Sequence, residues 1–416
     1  MTKLQHVLII GIVWPEPNSS AAGLRMMQLI HLFQSEGWKI TFASAAADSE
    51  HMVDLAALDI EKVNIKLNCE SFDEFILQLQ PSMVLFDRFM VEEQFGWRVA
   101  KYCPQAVRVL ETVDLHCLRR GRQQAFKEKR PFISTDLLSE VAKREIASIL
   151  RCDLSLIISE VEMALLQDPF KVDEALLHYV PFLFEEFSAA SLAEKPSFNE
   201  RKHFLTIGNF LHEPNFNSVL YLKEEIWPLI RKKLPQAELH IYGAYPSAKV
   251  TQLHRPEQGF YILGRADDAK AVMQQARVCL APLRIGAGIK GKLAEAMLCG
   301  TPSVTTDIGA ESMHAGVDWN GAIANTAEEI ALVAVKLYTD EQAWQTAQQN
   351  GLRIINQCHS KTASGPALIT RILTVQKDLE FHRLKNFTGA MLMHHTMAST
   401  QYMSRWIEAK NKQLKD

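Results

Sequence analysis

Residues 281–300 read APLRIGAGIKGKLAEAMLCG, and the fold is decided here. The run 278–283 (VCLAPL) predicts a buried strand, and 292–299 has the apolar spacing of a helix. Between them Gly286, Gly288 and Gly291 free the backbone for close approach to a ligand. The amides at the start of the following helix lack intrahelical partners, and the helix dipole adds positive potential there, which makes an anion site. Arg284, Lys290 and Lys292 contribute three cations: Arg binds phosphate oxygens bidentately, Lys as a point charge. A glycine-rich basic turn between strand and helix therefore predicts a diphosphate cradle. It matches neither the P-loop nor the dinucleotide glycine motif. The same spacing also fits a solvated surface loop.

Glu295 stands inside the helix among Ala and Leu neighbours, so its carboxylate needs a partner or a water-filled cleft. A ribose hydroxyl next to the phosphate site would serve, as would an ion pair with Lys292 three residues earlier.

Outward from this turn, strands and helices alternate along most of the chain. Residues 6–13 (HVLIIGIV), 39–44, 63–67, 83–87, 107–112 and 154–159 predict six strands in the first half. Residues 204–208, 237–243, 260–264, 278–283 and 303–307 predict five in the second, and helices are expected at 23–35, 215–234, 267–276 and 292–299. Continuous apolar strands separated by helices predict parallel sheets covered on both faces. The expected class is α/β, with two Rossmann-like doubly wound domains facing a cleft. Their expected extents are 1–185 and 203–366, with a linker at 186–202 and a helical tail at 367–416. In the tail Phe387, Met391, Tyr402 and Trp406 are expected apolar anchors before the lysine-rich end 410–415 (KNKQLK). The tail is expected to pack across the domains, with an oligomer or membrane-surface contact left open. His394 and His395 are adjacent, so on a helix they do not converge on a metal.

Composition excludes other classes. The 416 residues carry 45 Lys and Arg against 48 Asp and Glu, a formal charge of −3 that gives no bulk attraction to nucleic acid. The seven cysteines form no C-x-x-C pair, so neither a zinc knuckle nor a disulfide framework is expected. The opening apolar run is too short to span a bilayer, and no later run approaches that length.

The stretch PLRIGAGIKGKLAEAMLCGTPSVTTDIGAES closely resembles the second-domain signature of retaining glycosyltransferases of the two-domain GT-B fold, group-1 type. GNFLHEPNFNSVLYLKEEIWPLIRKKLPQAELHIYG looks like the start of that same domain, and WPEPNSSAAGLRMMQLIHLFQSEGWKITFAS is similar to the family's opening strand, loop and helix. The resemblance covers roughly residues 5–345 and is looser in the first domain. It implies transfer of a sugar from a nucleoside-diphosphate sugar to a hydroxyl acceptor, a glycan or lipid-linked precursor, with retention. No metal, no further cofactor and no nucleic acid partner is implied. The expected location is cytoplasmic, with a peripheral contact at the inner face of the plasma membrane left open. An epimerase or phosphorylase on the same fold, or a non-catalytic sugar-nucleotide binder, are the rival readings.

By the same resemblance Arg284, Lys290 and Lys292, with Gly286 and Gly288, fall where the donor diphosphate is held. Glu295 falls at the second carboxylate of the Glu-x7-Glu motif, which contacts ribose. The first carboxylate of that motif is replaced by Ala287. Gly208 precedes Asn209 where many relatives have Arg, and Asn209 fits either a phosphate or a turn cap. Glu311 belongs to a loop near the donor and fits equally a surface position. In the first domain Ser20 and Gly23 lie in the small-residue loop that approaches from the other side of the cleft. Arg25 follows on the helix, fitting either a cleft role or a structural one. His116 resembles the family histidine near the reacting sugar, with Asp114 placed to orient it or to receive an acceptor hydroxyl. The run Arg119, Arg120, Arg122, Lys127, Lys129 and Arg130 predicts a solvated loop, or a site for an anionic acceptor or the membrane carrying it.

Overall fold

The computed structural model describes residues 5–413. The first lobe is built on β1 (His6–Gly11), β2 (Lys39–Ser44), β3 (Glu61–Asn64), β4 (Met83–Asp87), β5 (Val107–Glu111), β6 (Leu154–Ile157) and β7 (Leu177–Tyr179). The second lobe is built on β8 (Phe204–Ile207), β9 (Leu239–Tyr242), β10 (Phe260–Gly264), β11 (Val278–Ala281), β12 (Ser303–Thr305) and β13 (Gly321–Ile323). Both sheets are parallel, ordered β3-β2-β1-β4-β5-β6-β7 and β10-β9-β8-β11-β12-β13. The side chains of β1 alternate between two cores: Leu8 and Ile10 join one, Val7 and Ile9 the other. Burial on both faces explains why this strand reads as an unbroken apolar run.

In each sheet the winding reverses beside its first strand, at β1/β4 and at β8/β11. Ligands of such sheets bind outside the strand carboxyl ends at these switch points. Here the two switch points open on one cleft. Ser19 and Ser20 after β1, Arg88 after β4, Gly208 after β8 and Leu283 after β11 all line it.

Several elements depart from the sequence reading. β1 ends at Gly11, and Val13 is exposed. β3 starts two residues early and is a half-exposed edge strand, so its apolar pattern is weak. β7 and β13 are three residues each, too short to show a period. The expected helix 215–234 is interrupted by a wide turn at Leu222–Ile226. Pro228, without an amide hydrogen, cannot donate back to the preceding turn, which accounts for the break. The first helix starts at Ala21, because Ser20 caps it by accepting from the Gly23 amide at 3.0 Å.

The expected linker is ordered and pinned to the second lobe. It holds the helix Ala189–Ala193, and Phe187, Leu192 and Phe198 are buried. Arg201 is fully buried, donating to the Cys299 carbonyl at 2.9 Å and Thr301 Oγ at 2.6 Å. The helix Lys361–Lys377 carries the chain back: Leu368, Ile369, Ile372 and Val375 pack with Val7 and Ile9 in the first-lobe core.

The last helix, Phe387–Gln413, lies on the first-lobe helices Phe89–Tyr102 and Glu140–Arg151. Residues 414–416 of the lysine-rich end fall outside the described residues. The four expected apolar anchors face outward: Phe387 is 67% exposed, Met391 50%, Tyr402 71% and Trp406 60%. The inner face instead carries polar groups that meet the buried Arg98, which donates to Ser404 at 2.8 Å and Glu408 at 2.9 Å. Five cysteines are buried and all seven are free thiols. Among the described residues, no helix is long and apolar enough to cross a membrane.

Candidate functional site

The cleft between the lobes encloses about 1010 Å³. Seven cationic side chains line it, Arg88, Arg119, Arg265, Lys270, Lys290, Lys292 and Lys361, against three carboxylates, Asp114, Glu185 and Glu295. The whole chain carries −3, so this positive excess is local and concentrates potential where an anion would enter.

The second-lobe wall is the glycine-rich turn. Lys290 precedes the helix Gly291–Leu298, and no side chain caps that helix, so its first amides remain available to an anion. Lys290 Nζ donates to the Gly288 carbonyl at 2.7 Å, and Lys292 Nζ to Asn215 Oδ1 at 2.7 Å. Burial lowers both ammonium groups to about 8; for Lys290 the Glu311 charge acts in the opposite direction. A Cβ on Gly208 would stand 2.7 Å from Lys292 Nζ, so the glycine leaves that ammonium its room. Glu295 lines the same wall, and burial raises its carboxyl while Lys270 pulls it down. It forms no ion pair with Lys292, whose ammonium donates to Asn215 instead and keeps further donors for a ligand.

The first-lobe wall carries Asp114 and His116. Val113, which precedes them, has φ of 65°, a strained conformation for a β-branched residue. Glu145 holds the start of the helix His116–Lys127, accepting from the amides of His116 and Cys117 at 2.9 Å each. His116 Nε2 lies 3.5 Å from Asp114, and Arg119 lies 3.3 Å from its other oxygen. Burial lowers the imidazole to about 4 despite the Asp114 charge, so it is neutral near pH 7. Burial opposes ionisation of Asp114, but the Arg119 charge holds its carboxyl below the ordinary range.

The lobes meet across this site. Gly288, at φ of 63°, donates its amide to Glu162 of the first lobe at 2.8 Å. A Cβ there would stand 2.9 Å from the Asp114 Cβ, and one on Gly291 2.6 Å from the Ala21 Cβ. Glycine at both positions lets the turn seat directly on the first lobe. Arg122 spans the boundary, donating twice to Glu311 at 2.7 Å and once to the Gly286 carbonyl at 2.9 Å. Ala287 packs into the first-lobe core, so a carboxylate in its place would be buried among apolar groups.

The remaining sequence-derived candidates are distributed as follows. Gly286 lines the cleft beside Lys290. Asn209 also lines it, but its side chain caps a turn, accepting from the Leu211 amide at 2.8 Å. Ser20 faces the cleft as a helix cap, while Gly23 lies against the Glu16 backbone, where a Cβ would clash at 2.4 Å. Arg284 turns away from the cleft lining, donating to Asn217 at 3.0 Å and lying over the Tyr221 and Phe126 rings. Arg25 is buried behind the wall, paired with Glu111 at 3.3 Å and bonded to the Pro181 carbonyl. Glu311 is not a free surface group, being paired with Arg122. The basic run 119–130 is mostly helix rather than loop, with Arg119, Arg122 and Arg130 engaged by carboxylates.

Sequence reasoning missed His212, Arg88 and Lys361 in the lining and Glu162 at the lobe boundary, and it named Arg122 only within a basic run, without its partner Glu311. His212 precedes the helix Glu213–Tyr221, and burial lowers its imidazole to about 4. Its place in the short loop between a strand-end glycine, Gly208, and the next helix was the available signal.

Residues 201–340 match the family model described as "Glycosyl transferases group 1". No curated protein matches the chain. Among solved structures, sucrose-phosphate synthase from Thermosynechococcus elongatus aligns with TM-score 0.64 at 15% identity, over 89% of this chain and 99% of that one. A glycosyltransferase from Rickettsia africae aligns with TM-score 0.65 at 11% identity, over 90% and 99%. Anabaena HepE, solved in complex with UDP and glucose, aligns with TM-score 0.64 at 13% identity, over 88% and 98%. These likenesses establish the two-lobed GT-B fold. The second lobe carries a group 1 glycosyl transferase domain on that framework, and by this domain the chain is a glycosyltransferase.

Proposed function

We propose that the chain transfers a sugar from a nucleoside-diphosphate sugar to a hydroxyl of a glycan or lipid-linked acceptor, with retention. The observation that carries this reading is the uncapped start of the helix Gly291–Leu298, with Lys290 and Lys292 beside it in a cleft richer in cations than in carboxylates. These groups receive the diphosphate and stabilise the charge it gains as the anomeric C–O bond breaks. Glu295 accepts from a ribose hydroxyl. UDP and glucose in the Anabaena HepE complex support a nucleotide-sugar donor of this kind.

The acceptor enters from the first-lobe wall. Neutral His116 hydrogen-bonds a hydroxyl of the transferred sugar, with Asp114 orienting its ring. The acceptor oxygen attacks the anomeric carbon from the side the diphosphate leaves. Its proton passes to a diphosphate oxygen, so no protein carboxylate need form a covalent intermediate. Contact between the glycine-rich turn and residues 113–115 excludes water from the reacting centre.

The test is incubation with UDP-, GDP- and TDP-sugars and a panel of glycan and lipid-linked acceptors, following nucleoside diphosphate and glycoside together. One donor should yield both in equal amounts, with anomeric configuration retained. Donor binding without turnover across the panel would assign a binding protein, and epimerised donor without glycoside an epimerase.

A further inference from the structure

Beyond the cleft, the densest exposed apolar surface lies on the two C-terminal helices. Phe381 and Leu384 on the helix Leu379–Lys385 are exposed, as are Phe387, Met391, Tyr402, Met403 and Trp406 on the last helix. Other large exposed apolar residues are scattered singly over the molecule. Phe387, Met391, Tyr402 and Trp406 are spaced by 4, 11 and 4 residues, which places them on one face of a helix. Twenty-seven residues make that face about 40 Å long.

On the last helix itself the charge is sorted. Arg405 and Lys410 are exposed on the last helix, while its acid, Glu408, turns inward onto Arg98 at 2.9 Å. On the abutting helices Glu93 and Glu140 are paired with Arg144 and Lys143, and on the neighbouring helix Ser71–Leu79 Asp73 is paired with Arg98 while Glu74 is exposed. Asp378 and Glu380, just before and within the helix Leu379–Lys385, are exposed acids on the same chain segment as the exposed Lys377 and Lys385. Lys410 Nζ stands 5.3 Å over the Trp406 ring, and Lys385 Nζ 4.5 Å over the Phe381 ring.

We propose that this face docks the first lobe onto an anionic phospholipid bilayer, with the last helix lying in the plane of the interface. Trp and Tyr rings favour the headgroup level, where an apolar body and a polar edge are both accommodated. The ammonium groups of Lys410 and Lys385, over the Trp406 and Phe381 rings, can extend on their flexible stems to lipid phosphates. Among the described residues no helix is long and apolar enough to span a bilayer, so the exposed rings would engage it from the surface. The cations Arg405 and Lys410 complement the negative surface and select it over a neutral one. The docking does not depend on which substrates the cleft takes.

The experiment is flotation of the full chain with phosphatidylcholine vesicles, alone and with about one-third phosphatidylglycerol. Tyr402→Ser/Trp406→Ser and Arg405→Glu/Lys410→Glu are compared with wild type, and Phe387→Ser/Met391→Ser serves as an independent pair. Melting curves select folded variants, and light scattering reports oligomeric state. Wild type should float with anionic vesicles, and each folded pair should weaken this by about tenfold or more. No flotation with anionic vesicles, equal flotation with neutral ones, or flotation unchanged in the folded pairs overturns the proposal. A wild-type dimer made monomeric by the same pairs would assign the face to a second copy instead.

Discussion

The Glu162 carboxyl of the first lobe accepts the amide of Gly288 of the second at 2.8 Å, and through the same oxygen the amide of Leu115 at 2.9 Å. One buried side chain thus ties the glycine-rich turn to the segment carrying Asp114 and His116. Removing it as Glu162→Ala leaves two amides without their acceptor, at roughly 1–3 kcal/mol each, whereas Glu162→Gln retains an acceptor oxygen. Chemical denaturation should show a marked loss for Ala and a small one for Gln. Equal stability of the two variants would remove Glu162 from this role.

The same carboxyl sets a pH dependence. Burial and the nearby Asp114 charge raise Glu162 to about 8, and burial raises Glu145 to about 7. A carboxyl raised in the folded state stabilises fully below its ordinary value, and that contribution is lost as pH rises through the folded value. Unfolding free energy should therefore fall between about pH 5 and about pH 8, less steeply in Glu162→Gln. Parallel profiles for wild type and variant would contradict the assignment.

Arg122 and Glu311 form a two-pronged pair across the lobes, both mostly buried. A double-mutant cycle with Arg122→Ala and Glu311→Ala should give a coupling energy of about 1–2 kcal/mol, shrinking in high salt. Additive losses would mean that the pair contributes nothing to holding the lobes together.

Gly291→Ala introduces a Cβ 2.6 Å from the Ala21 Cβ, in contact that exists only while the lobes are together. Turnover should drop at least tenfold while nucleoside diphosphate binding is retained, because the second-lobe wall is intact. Unchanged turnover would show that the close approach is not required.

The architecture was legible because it rests on local patterns. β1 and β11 are apolar on both faces, and Gly286, Gly288 and Gly291 mark the turn between strand and helix. Contacts between lobes were not legible, since Arg122 and Glu311 lie far apart in sequence and no spacing relates them. Arg284 illustrates the limit: its residue type and position fit a phosphate, but Asn217 and the Tyr221 ring claim it. In the last helix the period located a face, yet periodicity alone does not say which side turns inward. Arg98, buried beneath it, reversed the expectation by drawing in Ser404 and Glu408.

Lys290 and Lys292 carry the central claim, and calorimetric titration of UDP and GDP into wild type and Lys290→Ala/Lys292→Ala tests it most directly. Wild type should bind one nucleoside diphosphate per chain, more weakly as pH rises past about 8 where both ammonium groups lose charge. The double variant should lose about a hundredfold in affinity, roughly 2.7 kcal/mol. Equal affinity in the double variant, or no binding of either nucleotide by wild type, would contradict the account.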